Sequence, residues 1–389
     1  MNNEITLHRL LIFTIILTNL SQIPSLIDNG LGKYLSYIPW ILMTGMVILI
    51  YNDKHLYIGK NKYLYRLTIV FLICCFTLSI IGRNGFGVYL LRPLLLSVFI
   101  YVVAYNLGWN LEQDKLENYL LAYVVSGVVV TTFVYKAMIG NGFSWSSKVY
   151  AYTSKNSVSQ IILTAIILLV FLHGKKNKIF DIACDMATIA LTISLLMLKS
   201  RASLLGIVVV VFSVLFSKKY EKSTKVLIWF VVIAFVIALG VNEEFRRFIV
   251  DSILFAGRDR SDINSISSGR VGMINEFPSL FWDKPILGYG QYYVESMPLD
   301  AFVETGLFGG LCINVIALSP VLYSLRAYKR YNKSFDYLLL IVSICYYTNG
   351  LFEQIAPFGP GVKCYFLWLL FGLSAAWGER DEYKYSLDN

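Results

Sequence analysis

VNEEFRRFIVDSILFAGRDRSDINSISSGRVGMINEFPSLFWDKPILGYGQYYVESM, residues 241–297, is the one long polar excursion in a chain otherwise built of apolar segments and short loops. Its neighbours decide the fold class. A membrane-crossing helix needs about 20 apolar residues, and such runs lie on both sides of this stretch. The chain is 57% hydrophobic and only 15% charged, with a mean hydropathy of +0.61, whereas soluble domains carry about a quarter charged residues. The expectation is an all-α, polytopic membrane bundle forming a single domain over 1–389, with one long loop at 241–298 between the ninth and tenth helices.

Twelve candidate spans follow from the apolar runs: 10–28, 34–51, 67–82, 89–107, 119–139, 156–173, 179–198, 202–217, 225–240, 299–325, 336–353 and 361–377. The first run has no small-residue cleavage site, so it is expected to be a retained helix and not a signal peptide. Lysine and arginine are unevenly divided between alternate loops. One set, including Lys60, Lys62, Arg66, Lys175, Lys176 and Arg330, holds sixteen, and the opposite short loops hold seven. The excess of cations marks the cytoplasmic side. Both termini are then cytoplasmic and 241–298 is extracytoplasmic. This asymmetry explains the net charge of +9 without a nucleic-acid partner. The six cysteines lie in or beside apolar runs with no CxxC spacing, as small packing residues do. All three histidines (His8, His55 and His173) fall at the cytoplasmic edge, which leaves the outer face without imidazole for base catalysis or metal ligation. No internal repeat is visible, nor a matched pair of broken helices of the kind that marks transporters.

Four features on the outer side carry chemistry. In LKSRASLLG, Lys199, Ser200 and Arg201 occupy a very short turn between two apolar runs. An arginine so near hydrocarbon is costly without a partner, and its planar fork suits phosphate; the plainer reading is a snorkelling helix-end arginine. Arg258, Arg260 and Arg270 sit among Gly, Ser and Asp and suit an anionic head group, or local pairing with Asp259 and Asp262. Trp282, Tyr289, Tyr292 and Tyr293 offer flat amphipathic faces on which sugars stack, or an interfacial aromatic belt. Asp300 and Glu304, four apart, share a helical face, and one is expected to be a general base or half of an ion pair. Glu353 is a weaker candidate of the same kind. The stretch from Phe245 to Phe255 has apolar residues along one helical stripe and is expected to cover the bundle at the membrane surface.

KSRASLLG, SGRVGMINEFPSLFWDKPILGYG and ETGLFGG, taken in this order, resemble the O-antigen polymerase and O-antigen ligase superfamily of bacterial envelope glycosyltransferases. The resemblance covers about residues 190–310 in motif detail. It implies a glycosyltransferase C-like fold, metal-independent glycosyl transfer with no cofactor, and undecaprenyl-pyrophosphate-linked glycan as donor and acceptor. The setting it implies is the outer face of the inner membrane, in surrounding lipid and beside a chain-length regulator protein. Ligases resemble one another in a histidine pair about nine residues before Glu-x-Gly. Here Glu295-Ser296 stands at that place, which favours a polymerase over a ligase. A lipid-linked oligosaccharide flippase is the other alternative. The resemblance places Arg201 and Arg270 on the pyrophosphate, with Lys199, Arg258 and Arg260 in support. On this reading a carboxylate, Asp300 before Glu304, takes the acceptor's proton, and Trp282, Tyr289 and Tyr292 hold the glycan.

Overall fold

The computed structural model describes residues 2–50, 56–145, 155–217, 220, 222–255, 262, 264, 267, 269–359 and 364–387. Every regular element among them is helical: α1 (Asn2–Leu20), α2 (Pro24–Asp28), α3 (Leu31–Ile50), α4 (Lys62–Ile80), α5 (Leu91–Asn110), α6 (Leu116–Gly140), α7 (Lys155–Leu172), α8 (Lys178–Met197), α9 (Arg201–Phe216), α10 (Lys222–Val241), α11 (Glu243–Arg247) with a π-helical turn Phe248–Leu254, α12 (Arg270–Asp283), α13 (Met297–Tyr331), α14 (Ser334–Gly350) and α15 (Tyr365–Leu387). Helix is the form that lets an apolar segment satisfy its backbone in hydrocarbon, so a chain of apolar runs has little other choice.

Seven of these helices, not the expected twelve, are long and apolar enough to cross a membrane, or eight if the bent pair Ile228–Val241 and Glu243–Leu254 counts as one span. The shortfall has local causes. α9 has 16 residues and α14 has 17. The first two turns of α1 carry Asn2, Asn3, Glu4, His8 and Arg9, and the last turns of α15 carry Glu379, Arg380, Asp381 and Glu382. At those positions the apolar stretch is shorter than the helix that contains it. The chain is nonetheless a multi-pass, all-helical membrane protein.

Small residues set the tightest helix contact. Gly108 of α5 lies against Ala376 of α15, where an added Cβ would come within 2.6 Å of the alanine methyl, and Gly372 lies equally close to Ala104. Close backbone approach of this kind drives helix association where lipid offers no hydrophobic contrast. Trp377 Nε1 donates to Leu111 O at 2.9 Å at one end of this seam. Elsewhere a polar seam joins α7 to α14. Thr164 Oγ1 and Tyr346 OH are 2.5 Å apart, Asn349 Nδ2 donates to Gln160 Oε1, and beyond the end of α14 Asn156 Nδ2 donates to Glu353 Oε1. Residues 156, 160 and 164 are one helical stripe, so the seam fixes the register of α7 and brings Asn156 and Glu353 to the same end of the bundle.

α13 contains the least regular backbone. At 35 residues it would be about 52 Å long if straight, but it breaks at Gly306 (φ 67, ψ −165). Asn314 Nδ2 reaches Pro298 O at 3.3 Å, and Gly310 lies against the ring of Phe302. Residues 297–305 therefore fold back along the start of 307–331 as a helical hairpin. The hairpin is held by the preceding turn. Tyr289 N donates to Val303 O, Gly290 N to Glu304 O and Leu307 N to Pro285 O, at 2.7–2.9 Å. Gly290 packs against the Arg83 carbonyl, where a Cβ would come to 1.6 Å, and Arg83 Nη1 donates to Gly288 O at 2.7 Å. The PILGYG and ETGLFGG segments are thus one interlocked unit, tied to the turn between α4 and α5.

The amphipathic stretch after Asn242 covers the bundle as expected. The Asn242 side chain caps it by accepting from Phe245 N at 2.9 Å, Phe248 meets Trp145 edge-on at 5.3 Å, and Ile253 is buried. The opposite end of the bundle carries Lys60, Arg330 and Lys333, paired with Glu382 and Asp381 of α15. The first turns of α1 lie at that same end, where His8 Nδ1 is 2.9 Å from Tyr119 OH.

Candidate functional site

A cavity of about 620 Å³ opens at the loop end of the bundle, between the first turns of α7, α9 and α12 and the segment after α14. Among the described residues, its charge comes from Lys155, Lys199, Arg201, Arg270, Glu295 and Glu353. Four cations and two carboxylates leave an excess of positive charge in a partly apolar enclosure. Such an enclosure strengthens each electrostatic contact relative to water.

Each cation has a distinct origin. Lys199 takes a left-handed backbone conformation, φ 50, because the chain must reverse between α8 and α9 with no spare residues. Its side chain is buried, and Nζ donates to Trp145 O at 2.8 Å. Arg201 follows as the first residue of α9, after Ser200, whose Oγ donates to Ser203 Oγ at 3.2 Å. Lys155 opens α7. Arg270 opens α12 behind Gly269, which takes φ 82. Its guanidinium donates through Nη2 to Phe352 O at 2.8 Å and through Nη1 to Ser267 O at 3.2 Å, and Nη2 lies 2.9 Å from Glu295 Oε2. Its Nε is buried and makes no hydrogen bond. The arginine thus bridges the long loop, the segment before α13 and the segment after α14.

The two cavity carboxylates are fixed through Asp300. That side chain is fully buried. It accepts from Val294 N at 2.8 Å, beside Glu295, and from Gln354 Nε2 at 3.1 Å, beside Glu353. Met297 N also donates to Glu353 O at 3.2 Å. Tyr293 OH donates to Glu295 Oε1 at 3.2 Å. Burial and then the Glu295 carboxylate push the Tyr293 phenol up to about 12, so it remains a neutral donor at physiological pH.

The structure gathers five of the residues singled out in the sequence, Lys199, Ser200, Arg201, Arg270 and Glu353, into one cavity. Asp300 and Glu304 share a face as their spacing requires, but they do not line it. Glu304 is fully buried and accepts from Tyr89 N at 2.7 Å and Leu90 N at 3.4 Å, so it holds the start of α5 to the hairpin. Trp282 is exposed on α12. Tyr289 is engaged locally, donating to Asp283 Oδ2 at 2.7 Å with Lys284 Nζ 4.0 Å from its ring centroid, and Tyr292 lies 5.5 Å from it. None of these three aromatics is among the described residues that line the cavity. Arg258 and Arg260 lie outside the described residues. Lys155 and Asn156 belong to none of the sequence motifs, and Glu353 is only the weaker carboxylate candidate there. Their only sequence signal is polar character at the edge of an apolar run.

An exposed apolar stripe leads away from the cavity. Leu205 lines it, and Val208, Phe212 and Phe216 continue along the same face of α9, all exposed. Ile274 of α12 is exposed beside it. Compared with known proteins, the chain matches no family model, and no curated protein is significantly similar to it.

Proposed function

We propose that this chain is an O-antigen polymerase-type glycosyltransferase. In this reading it works at the outer face of a bacterial inner membrane, with both termini cytoplasmic and a glycosyltransferase C-like scaffold. It joins lipid-pyrophosphate-linked oligosaccharide units into a longer polysaccharide, alongside a chain-length regulator protein. The observation that carries the reading is the cationic cavity joined to a lipid-facing stripe. A pyrophosphate fits among Lys155, Lys199, Arg201 and Arg270, and its polyprenyl tail lies along Leu205, Val208, Phe212 and Phe216.

In the reaction, the bond between the donor's anomeric carbon and the pyrophosphate oxygen breaks through an oxocarbenium-like state. Negative charge grows on the departing pyrophosphate, and preorganised cations stabilise it. A hydroxyl of the incoming unit forms the new glycosidic bond and gives its proton to a carboxylate. The geometry favours Glu353 for this step over Asp300 and Glu304, whose oxygens accept from backbone amides and Gln354 away from the cavity. Glu353 lines the cavity, where its Oε1 accepts from Asn156 Nδ2. Glu353→Gln is expected to slow polymerisation by about 10²–10⁴-fold, the usual contribution of a general base, measured with lipid-linked repeat units and purified protein. Full activity of this variant would move the base elsewhere.

The whole reading is tested in a strain lacking the gene, by resolving surface glycan length and the lipid-linked pool together. The expected result is surface glycan carrying a single unit and no ladder. Long polymer stranded on the lipid carrier would make the protein a ligase, and single units retained on the cytoplasmic side would make it a flippase.

A further inference from the structure

At the end of the bundle away from the long loop lies a second cavity, of about 720 Å³, between the segment before α4, the start of α4, the end of α5 and α15. Lys60, Lys62, Arg66, Tyr65, Trp109 and Glu379 line it. The proposed reaction makes no use of it. We propose that this cavity binds the head group of an anionic glycerophospholipid, whose acyl chains run along α4.

The charges are arranged for an added anion. Glu379 is already engaged: Oε1 accepts from Lys60 N at 2.9 Å and Oε2 from Tyr105 OH at 3.0 Å. Lys60 Nζ is paired with Glu382 at 2.7 Å. Lys62 and Arg66 are exposed, and among the described residues neither makes an ion pair. They stand four apart, on one face of α4, at the mouth of the cavity. A phosphodiester between them supplies the missing countercharge and accepts the guanidinium fork in its preferred bidentate geometry.

What marks the ligand as lipid and not a free anion is the continuation of that face. Residues 62, 66, 69, 73, 76 and 80 follow the alternating four-and-three spacing of a single helical stripe. Beyond the two cations the stripe consists of Ile69, Ile73, Phe76 and Ile80, all exposed. α4 is long and apolar enough to cross a membrane, so this stripe faces acyl chains. The cavity sits where α4 begins and α5 ends, the depth at which head groups lie. Tyr65 and Trp109, both exposed at the rim, have the amphipathic rings that favour this depth. The segment before α4 is shaped around the cavity by Gly59 (φ +69), whose missing Cβ leaves room for the Tyr105 ring; a Cβ there would come within 2.4 Å of it.

The test is native mass spectrometry of the purified full chain titrated with phosphatidylglycerol or with phosphatidylcholine of the same acyl chains. The wild type is expected to hold phosphatidylglycerol on the order of tenfold more tightly, from two uncompensated cations near the surface. Lys62→Gln/Arg66→Gln keeps the apolar stems and removes the charge, and should abolish that preference. Each single substitution should remove part of it and serves if the double variant does not purify. Lys175→Gln/Lys176→Gln, an equal loss of charge on another loop, should leave the preference intact. Undiminished preference in the Lys62/Arg66 variants would overturn the proposal, as would an equal loss in the Lys175/Lys176 control. Displacement of phosphatidylglycerol by millimolar inorganic phosphate would overturn it too, by showing an anion site without lipid selectivity.

Discussion

Arg270→Ala is expected to reduce polymer synthesis by about 10²–10³-fold, the usual loss when one preorganised donor to a developing anion is removed. The protein should still accumulate in the membrane. Arg270 closes the cavity on one side and holds three segments at once, through Glu295, Phe352 O and Ser267 O. In the proposed reaction its removal takes away a ligand of the phosphate and leaves Glu295 as an uncompensated carboxylate beside it. Arg270→Lys keeps the charge but not the fork, and a lysine cannot reach the three partners together, so it should remain well below wild type. Arg201→Ala should give a loss of the same order from the other wall, since α9 presents Arg201 at the head of the lipid-facing stripe. The readouts are glycan length on gels, the turnover of lipid-linked units by purified protein, and the melting temperature in detergent. A loss of turnover far larger than the fall in melting temperature is the expected pattern. Normal ladders from both variants would remove the cavity from the chemistry.

The membrane class and the cationic half of the site are legible in the sequence for a physical reason. Apolar runs of the required length have few alternatives to helix, and arginines beside hydrocarbon are too costly to be incidental. Counting spans is less secure, because apolar length and helix length are different quantities. Residues 361–377 look like a span, yet the helix there starts at Tyr365 and its last turns carry Glu379 to Glu382. The carboxylates illustrate a second limit. The spacing of Asp300 and Glu304 says that they point the same way, and they do. It cannot say that the helix folds back at Gly306 and turns that face inward, toward Val294, Gln354, Tyr89 and Leu90. Asn156 and Glu353 meet through the seam between α7 and α14, across nearly two hundred residues, and no local pattern encodes such a pairing. The PILGYG and ETGLFGG stretches are visible as glycine-rich segments, but their mutual locking is a tertiary fact.

Gly306→Ala is expected to abolish activity by a different route, by unseating the hairpin. Gly306 sits at φ 67, ψ −165, in a region open essentially to glycine alone; holding another residue there costs on the order of 1–3 kcal/mol. A methyl group adds a steric conflict, since its carbon would come 2.3 Å from Ile286 O and 2.5 Å from Leu287 N. Both contacts are backbone, so no flexible side chain can move aside. Relief requires the Pro285–Gly290 turn to lift from the hairpin, which breaks the bonds from Tyr289 N, Gly290 N and Leu307 N. Once the turn lifts, Asp300 no longer pins Val294 and Gln354 in place, and Glu295 and Glu353 lose their common position across from Arg270. The expected result is therefore a lowered melting temperature together with loss of polymer. Arg270→Ala should instead lose polymer with a much smaller fall in melting temperature. Comparing the two variants separates a group that acts on the substrate from one that builds the site. A Gly306→Ala protein with unchanged melting temperature and normal polymer would show that residues 285–290 and the hairpin do not depend on each other.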